Sequence, residues 1–469
     1  MAKCPHCGAE FAFDVKKQLV HCDYCGSDFD PRNLNSEEKV SKKEENALEG
    51  IVYNCTQCGA SLMTFDETAV TFCNYCGSQN MIEDKITKQM APDFIIPFAK
   101  SQEECIKNYK RKLFSFFFSP SYMKDDVIVK KFRGIYMPYG VYKLNFHGDA
   151  VNGGEKYNHR SGDYVYYDDY AIHADVDATY EGISFDLISK YYDHYSHAIP
   201  FNFKQAVPFN SSYLPGFYAD SRDVEIDTYC GDAIQLAAED SSRFLLKNKT
   251  FRKYSCNNPK VPFQVEDKKV ALFPVYFLAT KNPKNDTIHY AVINGQTGKV
   301  AADMPISFVK YIIVSIIIAI PIYVLLLGLP VILPSTIDGF AIVVTIISFI
   351  LCNIETNACY DKDEHTNDKG FRAVHKDDTE IITDTSKKKK KGKKLFRMKK
   401  ENVLKYVGAI VIPLIPILTH MVSDVFYYIA AMISLLLVLW SFLDLVQLHN
   451  RLVSNPIPQL EKRGGDEHE

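Results

Sequence analysis

The sequence predicts a multidomain fold: two small β ribbons, an α+β domain and four transmembrane α-helices. Three observations carry this. A CxxC-x14-CxxC pattern occurs twice near the amino terminus. A long middle stretch, dense in Tyr and Phe, shows a helical pattern followed by strand patterns, twice over. Four apolar runs in the last third are long enough to span a bilayer. The expected divisions are ribbons at 1–30 and 51–82 with a linker at 31–50, then an α+β domain at 91–306. Transmembrane hairpins at 308–354 and 403–446 flank a basic loop at 355–402, and a tail fills 447–469.

The ribbons come first. Cys4, Cys7, Cys22 and Cys25 recur 51 residues later as Cys55, Cys58, Cys73 and Cys76, so eight of the 13 cysteines sit in four CxxC pairs. Each pair can close a tight turn with both thiolates aimed at one ion. The glycine that follows each pair (Gly8, Gly26, Gly59, Gly77) admits the positive φ that such a turn needs. Two turns together supply the four-sulfur tetrahedron of a closed structural Zn²⁺ site, with no position left for water or substrate. The intervening FAFDVKKQLVH and SLMTFDETAVTF read as β-hairpins too small to bury a core. Metal binding must then supply much of the folding free energy, on the order of 10 kcal/mol per site. A disulfide framework and a redox CxxC fit this paired spacing less well, and a metal-thiolate array suits a reducing compartment. With no cleavable signal ahead of the first ligand, the amino terminus is expected to face the cytosol.

Charge argues against nucleic acid as the ribbons' partner. Residues 1–30 set Lys3, Lys16 and Lys17 against Glu10, Asp14, Asp23, Asp28 and Asp30. Residues 51–82 hold Asp66 and Glu67 and no Lys or Arg. Four thiolates around one dication add two more negative charges, and a module without cations cannot make the phosphate contacts that supply non-specific affinity. The ribbons read as protein-interaction or spacer modules, joined by a polar linker (DPRNLNSEEKVSKKEENALEG).

In the middle domain, SQEECIKNYKRKLFSFFF predicts a helix stopped by Pro120. VIVKKFRGIYMPYGVYKLNFHGDAV and YVYYDDYAIHADVDATYEG predict strands, and GDAIQLAAEDSSRFLLKN predicts a second helix. KVALFPVYFLAT, HYAVI, a turn at Asn294–Gly298 and KVAADMPI complete the pattern. Helix then antiparallel meander, twice, predicts two α+β layers. No catalytic constellation emerges. GQTGK lacks the spacing of a phosphate loop and reads as a hairpin turn. His194 and His197 beside Asp193 offer a metal or acid/base pair, weighed against partly exposed histidines near a strand. Cys105, Cys230 and Cys256 read as core thiols.

The apolar runs at 311–333, 339–354, 403–421 and 425–443 predict two tight helical hairpins. The intervening loop holds Lys387 to Lys391, Lys393, Lys394, Arg397, Lys399 and Lys400, while PSTID and HMVSD hold no Lys or Arg. The positive-inside rule then places the loop and both termini in the cytoplasm of a multi-pass membrane protein. The lysine run is either a topological signal or an attraction to anionic lipid, worth about 1 kcal/mol per residue near the surface. Asp338, Asp424 and Asp444 lie toward helix ends, which disfavours ion-coupled transport.

The paired CxxCG ribbons resemble those of the bacterial membrane-anchored, transcription-factor-IIB-type zinc-ribbon proteins. So do PDFIIPFAKSQEECIKNY, FRGIYMPYGVYKLNF, FNSSYLPGFYADSRDVEID, YAVINGQTGKVAADMPIS and NPIPQLEKRGGD. The likeness runs over nearly the whole chain. It implies zinc at the eight cysteines and membrane recruitment in envelope stress. The implied partners are cytosolic flotillin-like (SPFH) or phage-shock-protein-A-like proteins. A helicase label used for some relatives does not carry over, because no Walker A motif is present. Four spans and a lysine-rich insert are more elaborate than the family pattern. The expectation is a non-enzymatic scaffold that recruits cytosolic proteins to the lipid bilayer. The alternatives are a membrane-tethered nucleic-acid-binding regulator and a lipid- or solute-handling membrane protein. Homo- and hetero-oligomers both remain open.

Overall fold

The computed structural model describes residues 3–34, 47–64, 73–79, 81–245, 253–254, 262–285, 287–328, 333–375, 398, 400–419 and 423–456. Most of the linker, the lysine run from Lys387 to Lys394, Cys256 and the tail beyond 456 lie outside these residues.

The first module is a three-stranded antiparallel sheet of β1 (Ala12–Asp14), β2 (Leu19–His21) and β3 (Asp28–Phe29). The Asp14 carboxylate accepts the N–H groups of Lys16 (2.8 Å) and Lys17 (3.2 Å), which closes the β1–β2 turn. Phe11, Phe13 and Val20 are its few buried apolar residues.

Among the described residues the other strands all belong to one 13-stranded sheet. Its members begin with β4 (Ala47–Cys55), β5 (Ser61–Thr64), β6 (Met81–Met90), β7 (Phe94–Ile95), β8 (Arg133–Ser161) and β9 (Tyr164–Asp186). They continue with β10 (Val207–Pro208), β11 (Tyr218–Asp220), β12 (Lys253–Tyr254), β13 (Gln264–Lys281), β14 (Thr287–Asn294), β15 (Val300–Ala302) and β16 (Asn455–Pro456). The two expected layers are therefore one, because β8 pairs antiparallel with β13 from Arg133↔Phe277 to Asn145↔Gln264 and joins both halves. The sheet is mixed, since β11 runs parallel to β8 and β7 parallel to β13. The second cysteine module is part of it too. Strand β5 pairs with β11, and residues 47–50, expected in a linker, lie in β4.

Both faces of the sheet are covered, which is why 270–280 reads as an almost unbroken apolar run. Ile135, Met137, Tyr139 and Val141 of β8 join Ala271, Phe273, Val275 and Phe277 of β13 on one face, with the second cysteine module. The other face holds α1 (Gln102–Ser115), through Cys105, Tyr109 and Leu113 against Tyr136 and Tyr276. A capping box starts α1: Glu104 N–H donates to Ser101 Oγ (3.3 Å) and Ser101 N–H to Glu104 Oε2 (3.0 Å). Residues 127–129, expected as the start of a strand, instead fall in the short α2 (Asp126–Val129), capped by Asp125. After α3 (Asp193–Ala198), α4 (Cys230–Leu245) packs Ala233, Ala237 and Ala238 on Tyr142 and Leu144 further along β8. Cys105 is buried as expected, whereas Cys230 is half-exposed.

Among the described residues four helices are long and apolar enough to cross a membrane: α5 (Phe308–Leu327), α6 (Pro334–Asp363), α8 (Lys400–Thr419) and α9 (Asp424–Leu452). Between α6 and α8 lies the short α7 (Lys369–Val374). The second expected hairpin forms, since α8 and α9 pack on each other, but the first does not. Helices α6, α8 and α9 pack together, while none of the α5 span is buried. Apolar composition gives α5 its length but no knobs that select a neighbour. Helices α6 and α9 also run past their apolar segments, and these extensions fasten the bundle to the sheet. Lys362 Nζ donates to Leu452 O (2.6 Å) and Ser454 O (2.8 Å). Asn450 exchanges hydrogen bonds with the Ile306 backbone, and β16 adds to the edge of β14 at Ile288↔Asn455. Of the expected tail at 447–469, the stretch as far as Pro456 continues α9 and adds β16 to the sheet.

Candidate metal centres

Each CxxC pair forms the same turn. In the first, Gly8 N–H donates to Cys4 O (2.8 Å) and Cys4 N–H to Ala9 O (2.8 Å). Cys22, Cys55 and Cys73 repeat that pattern with Gly26, Gly59 and Gly77. The four glycines have φ between 67° and 73°, a left-handed conformation that a Cβ would strain. Two turns then face each other across each module.

The cysteines come together as the spacing predicts. Cys4, Cys7, Cys22 and Cys25 form one group and Cys55, Cys58, Cys73 and Cys76 the other, with all sulfurs of a group within 4.8 Å of one another. Sulfur–sulfur distances are 3.6 Å for Cys4–Cys25 and 3.5 Å for Cys7–Cys22, Cys55–Cys76 and Cys58–Cys73. Disulfides are excluded, since their S–S bond is about 2.05 Å. Zinc–sulfur bonds of about 2.3 Å in a tetrahedron give edges of roughly 3.8 Å, so the donor set fits a tetrahedral thiophilic dication. These are the only groups of three or more His, Cys, Asp or Glu with metal-binding geometry among the described residues. His194 and His197 are exposed and belong to none, and the neighbouring Asp193 is buried, accepting from Tyr229 OH (2.8 Å) and Lys369 N–H (2.9 Å).

The two centres differ in setting. In the first, Cys7 and Cys25 are exposed and Tyr24 between the last two ligands is 82% exposed. It touches the rest of the protein from behind, where Phe13 N–H donates to Pro215 O (3.1 Å) and the Phe13 ring meets Tyr213 edge-on. In the second, all four cysteines are buried. Its Tyr75 ring lies 5.4 Å from Phe277, and Tyr290 OH donates to Tyr75 O (2.9 Å). Tyr75 OH donates to the Asp220 carboxylate, and Lys190 Nζ caps Gly59 O (2.6 Å).

Hydrogen bonding shifts the thiols of each centre in opposite directions, with Cys7 and Cys58 pushed up to about 12. A hydrogen bond with Ser27 draws the Cys25 thiol down to about 6. In the second centre, hydrogen bonds from Cys58 and Cys73 draw Cys76 down, whereas hydrogen bonds with Cys58 and Cys76, together with burial, push Cys73 up. Burial also lifts Asp220 to about 7. The Tyr75–Asp220 contact escaped the sequence reading, whose only trace of it was the YLPGFYAD stretch.

The turn at Asn294–Gly298 is structural. Asn294 Oδ1 accepts Gln296 N–H (2.8 Å) and Thr297 N–H (2.9 Å), and Asn294 Nδ2 donates to Ile199 O (3.1 Å) and Pro200 O (2.8 Å).

These features define a class: a double tetracysteine protein whose sheet carries four helices apolar enough to cross a membrane. The chain is 26% identical over 314 residues to an uncharacterised protein, YdjG, of Bacillus subtilis (strain 168), covering 65% of this chain and 90% of that one. No family model matches the sequence, and no solved structure matches it.

Proposed function

We propose that the chain is a non-enzymatic membrane scaffold with Zn²⁺ in both cysteine centres and both termini in the cytoplasm. One observation carries the reading: the two centres are built alike, yet one is sealed into the sheet and the other is presented to solvent. Zinc at Cys55, Cys58, Cys73 and Cys76 would hold the body together, supplying folding energy without an open coordination position. Zinc at Cys4, Cys7, Cys22 and Cys25 would hold out an exposed surface around His6 and Tyr24 for a cytosolic protein partner. An aromatic on a rigid turn, with a polar rim, is the kind of anchor that interfaces use. The resemblance to membrane-anchored zinc-ribbon proteins supports this reading and points to flotillin-like or phage-shock-protein-A-like partners. The body fastened to α6 and α9 would keep that surface at a fixed place relative to the bilayer.

The test is recovery of partners from detergent extracts. Cys7→Ser/Cys25→Ser should lose bound proteins while membrane insertion is kept. Undiminished recovery would remove the first ribbon as the docking surface.

A further inference from the structure

Asp338 sits in the first turns of α6, at the end of the helix bundle farthest from the sheet. Its side chain is 0% exposed, and neither carboxylate oxygen has a hydrogen-bond partner. It heads a buried seam that continues down α6 at intervals of three and four through Ala341, Thr345, Ser348 and Cys352. The other polar groups of the seam are satisfied. Thr345 Oγ1 donates to Ala341 O (2.7 Å), and Ser348 Oγ lies 3.4 Å from Tyr406 OH of α8. Across the bundle, Ser434 Oγ of α9 donates to Ala409 O (2.7 Å). At the opposite, body-side end of the bundle, Lys405 and Asp444 pair at 2.8 Å. Among the described residues Asp338 has no such counter-charge. Along Tyr311–Gly328, Leu333–Ile354, Tyr406–Thr419 and Ser423–Leu443 the only other charged residue is Asp424, which is exposed and of the same sign. The other titratable groups at this end of α9 are Tyr427 and Tyr428, and His420 lies outside the described residues.

An ionised carboxylate buried without water, donor or cation is among the costliest groups in a membrane, and such residues mark function. A metal cation would need several oxygen ligands, and among the described residues Asp338 belongs to no group of three or more His, Cys, Asp or Glu with metal-binding geometry. A proton needs only the carboxylate itself.

We propose that Asp338 is an intramembrane proton-binding site, and that α6 packs into the bundle at this end with the proton bound. The inference rests on the membrane-spanning reading of the helices. Loss of the proton would require this end to open to water, so the packing of α6, α8 and α9 would answer to proton activity on the side away from the body.

Dicyclohexylcarbodiimide tests it on the full chain in phosphatidylcholine vesicles. The reagent adds the acid's O–H across one C=N bond, the oxygen going to carbon and the proton to nitrogen, so it reports protonated carboxyls in apolar surroundings. The expected result, by mass spectrometry, is an adduct on Asp338 but not on Asp424, declining as pH is raised and lost in Asp338→Asn. An unlabelled wild-type Asp338 would overturn the proposal. So would protection by sodium chloride but not choline chloride, which would mean a bound cation. Vesicle flotation reads insertion separately, so a failure of the membrane reading is distinguishable from a failure of the proton site.

Discussion

The Tyr75 hydroxyl donates to the carboxylate of Asp220, tying a turn of the second cysteine centre to a strand 145 residues away. Tyr75 is buried and Asp220 half-buried within the sheet that carries the body, so the contact borders the fold's core. Tyr75→Phe should lower stability by about 1–2 kcal/mol, because one buried hydrogen bond is lost and Asp220 is left with less support. Asp220→Ala should cost more, since it strands the tyrosine hydroxyl as well. Chemical unfolding in detergent gives the midpoints, and metal content should stay unchanged in Tyr75→Phe.

The unequal exposure of the two centres predicts an order of metal loss. A chromogenic chelator should strip the first centre quickly, because Cys7 and Cys25 are open to solvent. The second should yield only as the sheet opens. Cys7→Ser/Cys25→Ser should abolish the fast phase and leave the slow one. A single phase in the wild-type protein would argue against the difference.

Asp303 predicts a pH dependence. Its carboxylate accepts from Tyr195 OH (2.9 and 2.8 Å), Tyr290 N–H (2.8 Å) and Asn455 Nδ2 (3.2 Å), while burial holds its acid up at about 6 against the ordinary 3.8. The folded protein therefore binds this proton more tightly than the unfolded chain does. Its contribution is complete below 3.8, declines as pH rises, and is gone above about 6. The full change is about 3 kcal/mol. Asp303→Asn should flatten this part of the stability profile between pH 4 and 7, measured by denaturant titration. A slope equal to wild type would contradict it.

Much of this was legible because it is local. A CxxCG turn needs only five residues, so all eight metal-binding candidates were found from spacing. The helix at Gln102–Ser115 was marked by its own apolar spacing and by the stop at Pro120. What could not be read were pairings across long separations. Nothing near Ser61–Thr64 announces that β5 pairs with β11, so the second ribbon looked detached. The β8–β13 ladder likewise turned two expected layers into one sheet. In the membrane segments, hydropathy measures transfer into lipid but carries little information on which helix meets which. That is why α5 was paired with α6 in the sequence and stands apart in the structure, and why Asp338 passed for a harmless charge at a helix end.

The junction between bundle and body depends on Lys362, whose ammonium holds the last carbonyls of α9 and the residue before β16. Lys362→Met keeps the aliphatic stem and removes two charge-assisted hydrogen bonds, an expected loss of about 2–3 kcal/mol of local stability. Hydrogen exchange should then speed up at Ile288 and Asn455, where β14 and β16 pair. Unchanged protection there would show that the junction is held by other contacts.

Zinc counted per polypeptide, by plasma mass spectrometry against amino-acid analysis, tests the central claim most directly. The account predicts two zinc ions in the wild-type chain, one in Cys7→Ser/Cys25→Ser, and eight further thiols titrating once the metal is chelated. A purified, folded chain with no zinc, with iron in its place, or with those cysteines joined as disulfides would contradict it.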